Sequence, residues 1–407
     1  MTSRDRVLTA LNHEQPDRVP IDLGGHRSSG IAAIAYAKLR RALGLAERPV
    51  RVYDPVQQLA IVDEDVLDRL RVDTIELGRG FALDDEHWAD WTLPDGTPCQ
   101  MPRWALPERE RGAWVIRSAG GRTIAKMPDG ALYFEQCHWP FLADDDLDRI
   151  PEAMAECMWC AVQSPPGPLV GGAEGGRILA EGARRLRERT DRAILGLFGG
   201  NLLEMGQFLY RNDHFLMLLA AQPSRAQEFL DGVVELHLAH LETFLAAVGD
   251  WIDVIVFGDD LGMQAGPQIS PAMYREFFKP RHARMWRRAK ELADVKVMLH
   301  CCGGVRELQT ALRYPGLLVL IARTQDTNSD KEIDGQDSEW LFAYDVPGGK
   351  LKRVSPQGYR VEYMSLLKEV ILVFMAPEDA PHGSRRTLAI YKYDPKTDRG
   401  ELIKDIQ

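Results

Sequence analysis

Residues 295–305, VKVMLHCCGGV, run apolar through Val295, Val297, Met298 and Leu299 and then stop on an imidazole and two thiols before two glycines. Successive side chains of a strand point to opposite faces, so His300 and Cys302 share one face and Cys301 turns to the other. Two soft ligands at i and i+2 can reach a single metal ion. The same residues would also suit a strand end packed against a loop.

Other strand ends present polar groups of their own. RVPIDLGG reads as a strand over Arg18–Leu23 that leads into GGHRSSG and presents His26 and Arg27 on a loop rich in backbone N–H groups. Ile252–Phe257 leads into GDDLGMQAGP and presents Asp259 and Asp260. FGGNLLEMGQF adds Asn201 as a helix cap and Glu204 in the first turn, with Met263 and Gln264 as wall residues of the same mouth. In a parallel sheet these ends lie together, where a pocket forms. The aspartates read equally as turn caps or as proton-transfer groups. Arg27 reads as a partner of a surface carboxylate or, on its glycine loop, of an anionic ligand.

The elements that must position these residues alternate. SRDRVLTALNHE reads as a first helix capped by Ser3, GIAAIAYAKLRRALGL as a second, and Thr74–Leu77 as a short strand. Residues 80–140 break the rhythm: polar and β-forming residues alternate around Asp-Gly and Gly-Gly turns, the pattern of an inserted antiparallel flap. SPPGPLVGGAEGG, residues 164–176, reads as a connector. Beyond it come a helix over Arg177–Arg189, the strand AILGLFGG, a helix from Asn201, and another over Ser224–Val248. The strand IDVIVFGDD follows, then a helix opened by Ser270 and Pro271, the strand 295–300, a helix to about Leu312 and the strand GLLVLI. Buried strands separated by helices predict a parallel sheet. The last stretch departs from this: EWLFAYDVPGGKLKRV and TLAIYKYDPKTDRGELIKDI share a scheme of Leu, Tyr, acidic-Pro turn, Gly and Leu with Lys, which reads as two hairpins of one β-rich, blade-like module.

The 407 residues carry a net charge of −10, 45% hydrophobic and 27% charged side chains, a balance that argues for a globular chain and against nucleic acid or an anionic membrane as partner. The N-terminus lacks the apolar core of a signal peptide, and no apolar run approaches the roughly 20 residues that cross a bilayer, so a cytoplasmic location is expected. In a reducing compartment the six cysteines are core residues, ligands or nucleophiles. Cys157 and Cys160 have redox spacing but sit among helix formers, which favours packing, and Cys99 and Cys137 read as structural.

Together, RVLTALNHEQPDRVPID, GDWIDVIVFGDDLGMQAGPQISPAMYREFFKPRHARMW and KVMLHCCGG resemble the uroporphyrinogen decarboxylase superfamily, which includes cobalamin-dependent methyltransferases, over roughly residues 2–313. The resemblance implies an α/β fold, a distorted TIM-type (β/α)8 barrel over 1–321 with a β-hairpin insertion at about 80–140. The β-rich tail, 322–407, is unlike the family and leaves the barrel short of its closing strands. The decarboxylases grip substrate carboxylates with an arginine-rich loop, of which LGGHRSSG keeps Arg27 alone. The methyltransferase branch carries a His-x-Cys zinc pair, matched here by His300 and Cys302. The implied activity is zinc-assisted methyl transfer between a small methoxyl- or thiol-type substrate and a corrinoid (cobalamin) carried on a partner protein, with Asp259 or Asp260 moving a proton. The coenzyme M branch takes a third ligand, a cysteine, from a later strand; no cysteine follows Cys302 here, so either Glu204, Asp259 or Asp260 replaces it or the third ligand is missing. Decarboxylation of an acidic tetrapyrrole and a catalytically inert fusion chain are the competing readings.

Overall fold

In a computed structural model the chain forms two compact units, Met1–Leu261 with Met273–Cys302, and Gly262–Ala272 with Gly303–Gln407. The structure describes all residues except 78–83, 163–171, 306–307, 309–316, 323–339, 346–349, 368–369, 378–387, 395–398 and 407. The expected helix to about Leu312 and most of the 164–176 connector lie outside the described residues.

The first unit opens with α1 (Ser3–Leu11), whose N-cap is Thr2 rather than Ser3: the Thr2 hydroxyl accepts the Asp5 N–H and the Asp5 carboxylate reaches back to the Thr2 N–H. The next segment, Arg18–Leu23, is not the expected strand. Pro20 has no N–H to offer a ladder, and the Ile21 N–H donates to the Asp73 carboxylate at 2.8 Å. Val19 stands 79% exposed, so no alternating apolar face exists to bury. Arg6 and Arg18 both donate to the fully buried Asp73 carboxylate, at 2.7 and 2.6 Å. These charges therefore fasten the N-terminal segment to the sheet.

Helix α2 (Ala33–Ala42), strands β1 (Val50–Asp54) and β2 (Leu59–Ala60), and helix α3 (Glu64–Arg69) lead to β3 (Thr74–Glu76). The expected flap is antiparallel, as its turns predict. Strands β4 (Trp88–Thr92) and β5 (Pro98–Pro102) form one hairpin, with β5 also running parallel to β1. Strands β6 (Glu108–Glu110), β7 (Ala113–Arg117), β8 (Thr123–Pro128) and β9 (Glu135–Gln136) form a four-stranded meander. Cys99 and Cys157 are buried core residues, and none of the six cysteines forms a disulfide. The Cys157 thiol packs against Gln136, which fits packing rather than redox chemistry.

After α4 (Ile150–Ala155) and α5 (Met158–Ala161), α6 spans Gly172–Arg189, beginning five residues before its expected start. Strand β10 (Ala193–Gly199), helices α7 (Leu203–Tyr210), α8 (Asn212–Ala221) and α9 (Pro223–Val248), and strand β11 (Val254–Gly258) follow. Helix α10 (Pro271–Met273) passes through a π turn (Tyr274–Phe278) into α11 (Lys279–Leu292), and β12 (Lys296–His300) ends the unit's alternation. The sheet runs β12-β11-β10-β3, all neighbours parallel. On one face Ala193, Leu195, Val254 and Val256 pack with Val7 of α1, with Leu197 and Met298 beside them. At its N-terminal edge the buried Asp253 carboxylate takes Arg4 at 2.6 Å, Arg187 at 2.5 Å and the Ile194 N–H at 2.8 Å. Among the described residues the sheet has four strands and does not close into a barrel. No helix of those residues is long and apolar enough to cross a membrane.

The second unit is where GLLVLI falls. As β13 (Leu317–Ala322) it pairs antiparallel with β14 (Trp340–Asp345), not parallel as a barrel strand would. β14 turns into β15 (Lys350–Arg353), the first tail hairpin read from the sequence. Strands β16 (Tyr359–Leu367), β17 (Val370–Pro377), β18 (Leu388–Asp394) and β19 (Arg399–Ile406) form a consecutive antiparallel meander that includes the second.

Candidate metal centre

The register Gly258↔His300 sets the ends of β11 and β12 side by side, and the Asp259 N–H donates to the His300 carbonyl at 3.0 Å. The residue after Asp259 is thereby held beside the His-x-Cys pair. His300 Nε2 lies 3.1 Å from Cys302 Sγ and 3.6 Å from Asp260 Oδ1, and Asp260 Oδ1 accepts the Cys302 N–H at 2.7 Å. One ligand atom from each of Asp260, His300 and Cys302 lies within 4.8 Å of the others. Ligands about 2.0–2.3 Å from a tetrahedral zinc stand roughly 3.3–3.8 Å apart, so the imidazole, thiol and carboxylate can close on one ion with small side-chain adjustments. The donor set N, S and O also suits zinc chemically. Cys302 is exposed, with His300 and Asp260 partly so, which leaves a side open for a fourth ligand.

The surrounding charge is negative. Although the residue has an exposed side, partial desolvation of the thiol by its neighbours, helped by Asp260 and Glu204, pushes Cys302 up to about 12. Burial and the neighbouring Asp259 and Asp260 raise Glu204 to about 8. Glu204 Oε2 accepts the Asn201 amide at 2.6 Å and the Asp260 N–H at 2.9 Å. Carboxylates and a thiol crowded in this way repel one another as anions, and a dication among them would reverse that repulsion.

Asp259 behaves differently from Asp260. It is 0% exposed, and its two oxygens accept the N–H groups of Leu202, Leu203 and Glu204 at 3.3, 3.1 and 3.1 Å. This carboxylate from β11 thus covers the open N-terminus of α7, whose own flank offers no side-chain cap. His282 Nε2 meets Asp259 Oδ2 at 3.1 Å. His237 Nε2 meets the Asn201 carbonyl at 3.0 Å. The sequence reasoning missed both histidines. HARMW in the family-like run carried the first, but its face is set by the π turn and could not be read from helical spacing.

On the facing loop the His26 ring lies 5.9 Å from the His300 ring, centroid to centroid. His26 Nδ1 accepts the Ser28 N–H at 3.2 Å, so its proton sits on Nε2, 3.7 Å from Asp22. Burial, with His300 and Arg27 nearby, holds its basicity below the usual value although Asp22 opposes this. Arg27 stands 3.6 Å from the buried Asp54 carboxylate, and its Nε is buried with no hydrogen-bond acceptor among the described residues. Met263 and Gln264 belong to the second unit and are both exposed. There Gly303 is needed for close approach: a Cβ on it would stand 2.2 Å from the Gly262 carbonyl carbon. A cavity of about 540 Å³ lies elsewhere in the first unit, among Leu23, Arg51, Ile75, Glu76 and Arg189, and Asp260, His300 and Cys302 do not line it.

The sequence of residues 174–334 matches the family described as uroporphyrinogen decarboxylase (URO-D). No curated protein matches the chain. A solved methyltransferase from Methanosarcina mazei aligns with 17% identity over 76% of this chain and 72% of that one, at a TM-score of 0.42. Residues 174–334, which contain β10–β12 and all three candidate ligands, are thus similar to the uroporphyrinogen decarboxylase family.

Proposed function

We propose that the chain is an enzyme of this superfamily that carries out zinc-assisted methyl transfer between a small methoxyl- or thiol-type substrate and a corrinoid protein. The observation that carries this reading is the convergence of Asp260, His300 and Cys302 within 4.8 Å. Those three residues would hold the ion, Asp260 taking the place of the third cysteine. Zinc bound there supplies Lewis acidity toward a substrate oxygen or thiol. Asp260 is then a ligand, and Asp259, enclosed by four hydrogen bonds, positions rather than reacts. Glu204, whose Oε2 accepts the Asp260 N–H at 2.9 Å, is the group placed to exchange a proton with a departing oxygen. His26 borders the same space from the facing loop.

Charge favours this reading over decarboxylation of an acidic tetrapyrrole. Asp260 and the buried Asp259 would repel a polycarboxylate, and Arg27, the one retained arginine of the loop, stands against Asp54. The test is to incubate zinc-loaded protein with reduced cobalamin and an aryl methyl ether, or with methylcobalamin and a thiol, following the cobalamin spectrum. Conversion by the wild type that is lost in a His300→Ala/Cys302→Ala variant supports methyl transfer. Carbon dioxide release from uroporphyrinogen by metal-free protein would replace it with the decarboxylase. Neither activity would leave an inert chain.

A further inference from the structure

Behind the metal centre stands a histidine whose surroundings set it apart from ordinary core filling. His282 on α11 is 1% exposed, Tyr274 in the π turn is 1% and Asp259 is 0%. The three form one line: Tyr274 Oη lies 3.4 Å from His282 Nδ1, and His282 Nε2 lies 3.1 Å from Asp259 Oδ2. An ionised Asp259 only accepts, so Nε2 carries the imidazole proton and Nδ1 is left to accept from the tyrosine hydroxyl. Trp286 stacks on the ring at 5.1 Å with planes 8° apart, which fixes its tilt.

The π turn is what makes the line. Tyr274 and His282 are eight residues apart, roughly 80° around a regular α-helix. One extra residue absorbed in a π turn brings them to within roughly 20° of a common face. Without it the hydroxyl and the imidazole would point in different directions.

The geometry points to His282 as a positioning residue for the metal centre, with Tyr274 fixing its tautomer. The inference rests on the assignment of Asp260, His300 and Cys302 as ligands. Asp259 is the chain neighbour of Asp260, and its carboxylate holds the N-terminus of α7, which carries Glu204. Glu204 in turn accepts the Asp260 N–H. Removing the imidazole N–H lets Asp259 rotate, and both the Asp260 backbone and Glu204 move with it. Outer hydrogen-bond partners of ligand residues commonly change metal affinity by about 10–100-fold.

Cobalt(II) serves as probe in full-length protein, because its visible d–d and thiolate charge-transfer bands report ligand geometry independently of fold stability. The variants are His282→Leu, His282→Gln, which keeps an N–H donor toward Asp259, and Tyr274→Phe. Expected are one cobalt per wild-type chain and at least roughly tenfold weaker binding with shifted d–d bands in His282→Leu. His282→Gln should stay within about threefold of wild type with an unshifted spectrum, because its N–H replaces the imidazole's. If His282→Leu does not fold, Tyr274→Phe decides: shifted bands support the line, and an unchanged spectrum and affinity overturn it. Wild-type binding together with an unaltered His282→Leu overturns the positioning role alone. Wild-type protein that takes up no cobalt overturns the metal centre and this inference with it.

Discussion

Asp253 offers the sharpest test of how the sheet is held in place beneath the site. Its side chain is 1% exposed and receives three donors, from Arg4, Arg187 and the Ile194 amide. Asp253→Ala strips all three at once, but their contributions differ. Arg4 is 48% exposed, so its pair adds little. Arg187 is 17% exposed and keeps the Trp251 and Arg192 carbonyls at 3.0 and 2.9 Å, which softens its loss. The Ile194 amide is buried and left without its side-chain acceptor, a cost of about 1–3 kcal/mol. Breaking a buried pair costs about 3–5 kcal/mol, and with Arg187 partly satisfied the expected total is about 3 kcal/mol. Asp253→Asn, which retains an acceptor for the amide, should cost about half as much. Eight of the nine tryptophans lie in the first unit, so urea unfolding followed by tryptophan fluorescence reads that unit. The Asp253→Ala midpoint should fall by about 1 M for a slope near 3 kcal/mol/M, with Asp253→Asn between it and wild type. An Asp253→Ala midpoint within about 0.2 M of wild type would refute the reasoning.

Three further outcomes are expected. Burial holds His237 down to about 4, so above pH 6.5 folded and unfolded states are alike, and between 6.5 and 4 the unfolded state binds the extra proton. Stability is therefore full above pH 6.5 and about 2.5 kcal/mol of it is gone by pH 4.5. His237→Gln should lose correspondingly less between pH 7.5 and 4.5 in urea melts, and an identical loss counts against a neutral buried imidazole. Glu204→Gln should lower methyl-transfer turnover by about 10²–10⁴-fold, which steady-state kinetics on the zinc-loaded protein checks. Gly206→Ala would place a Cβ 2.2 Å from the Phe215 ring. The overpacking cost of about 1–3 kcal/mol should outweigh the gain of about 1 kcal/mol in helix propensity and lower the melting temperature.

Much of this was legible in the sequence because local signals dominate there. The apolar run Val295–Leu299 marks the strand that delivers His300, although β12 stops there and Cys302 lies just beyond it, and the Asp-Gly and Gly-Gly turns of the flap specify hairpins without tertiary help. What failed depended on distant residues. Arg18–Leu23 carries strand formers, yet Ile21 is held by Asp73, through its carboxylate and its backbone N–H, rather than by a ladder. GLLVLI reads as another parallel strand, and only its register with Trp340–Asp345 reveals an antiparallel partner. Asp259 and Asp260 are adjacent and chemically identical in sequence. Their roles separate only when α7 sets its N-terminus on the first and β12 brings Cys302 to the second.

Metal content measured by mass spectrometry after zinc loading and exhaustive dialysis tests the central claim most directly. The account predicts close to one zinc per wild-type chain and almost none in His300→Ala/Cys302→Ala, with strongly reduced retention in Asp260→Ala. Wild-type protein that emerges metal-free, or a double variant that keeps its zinc, would contradict it.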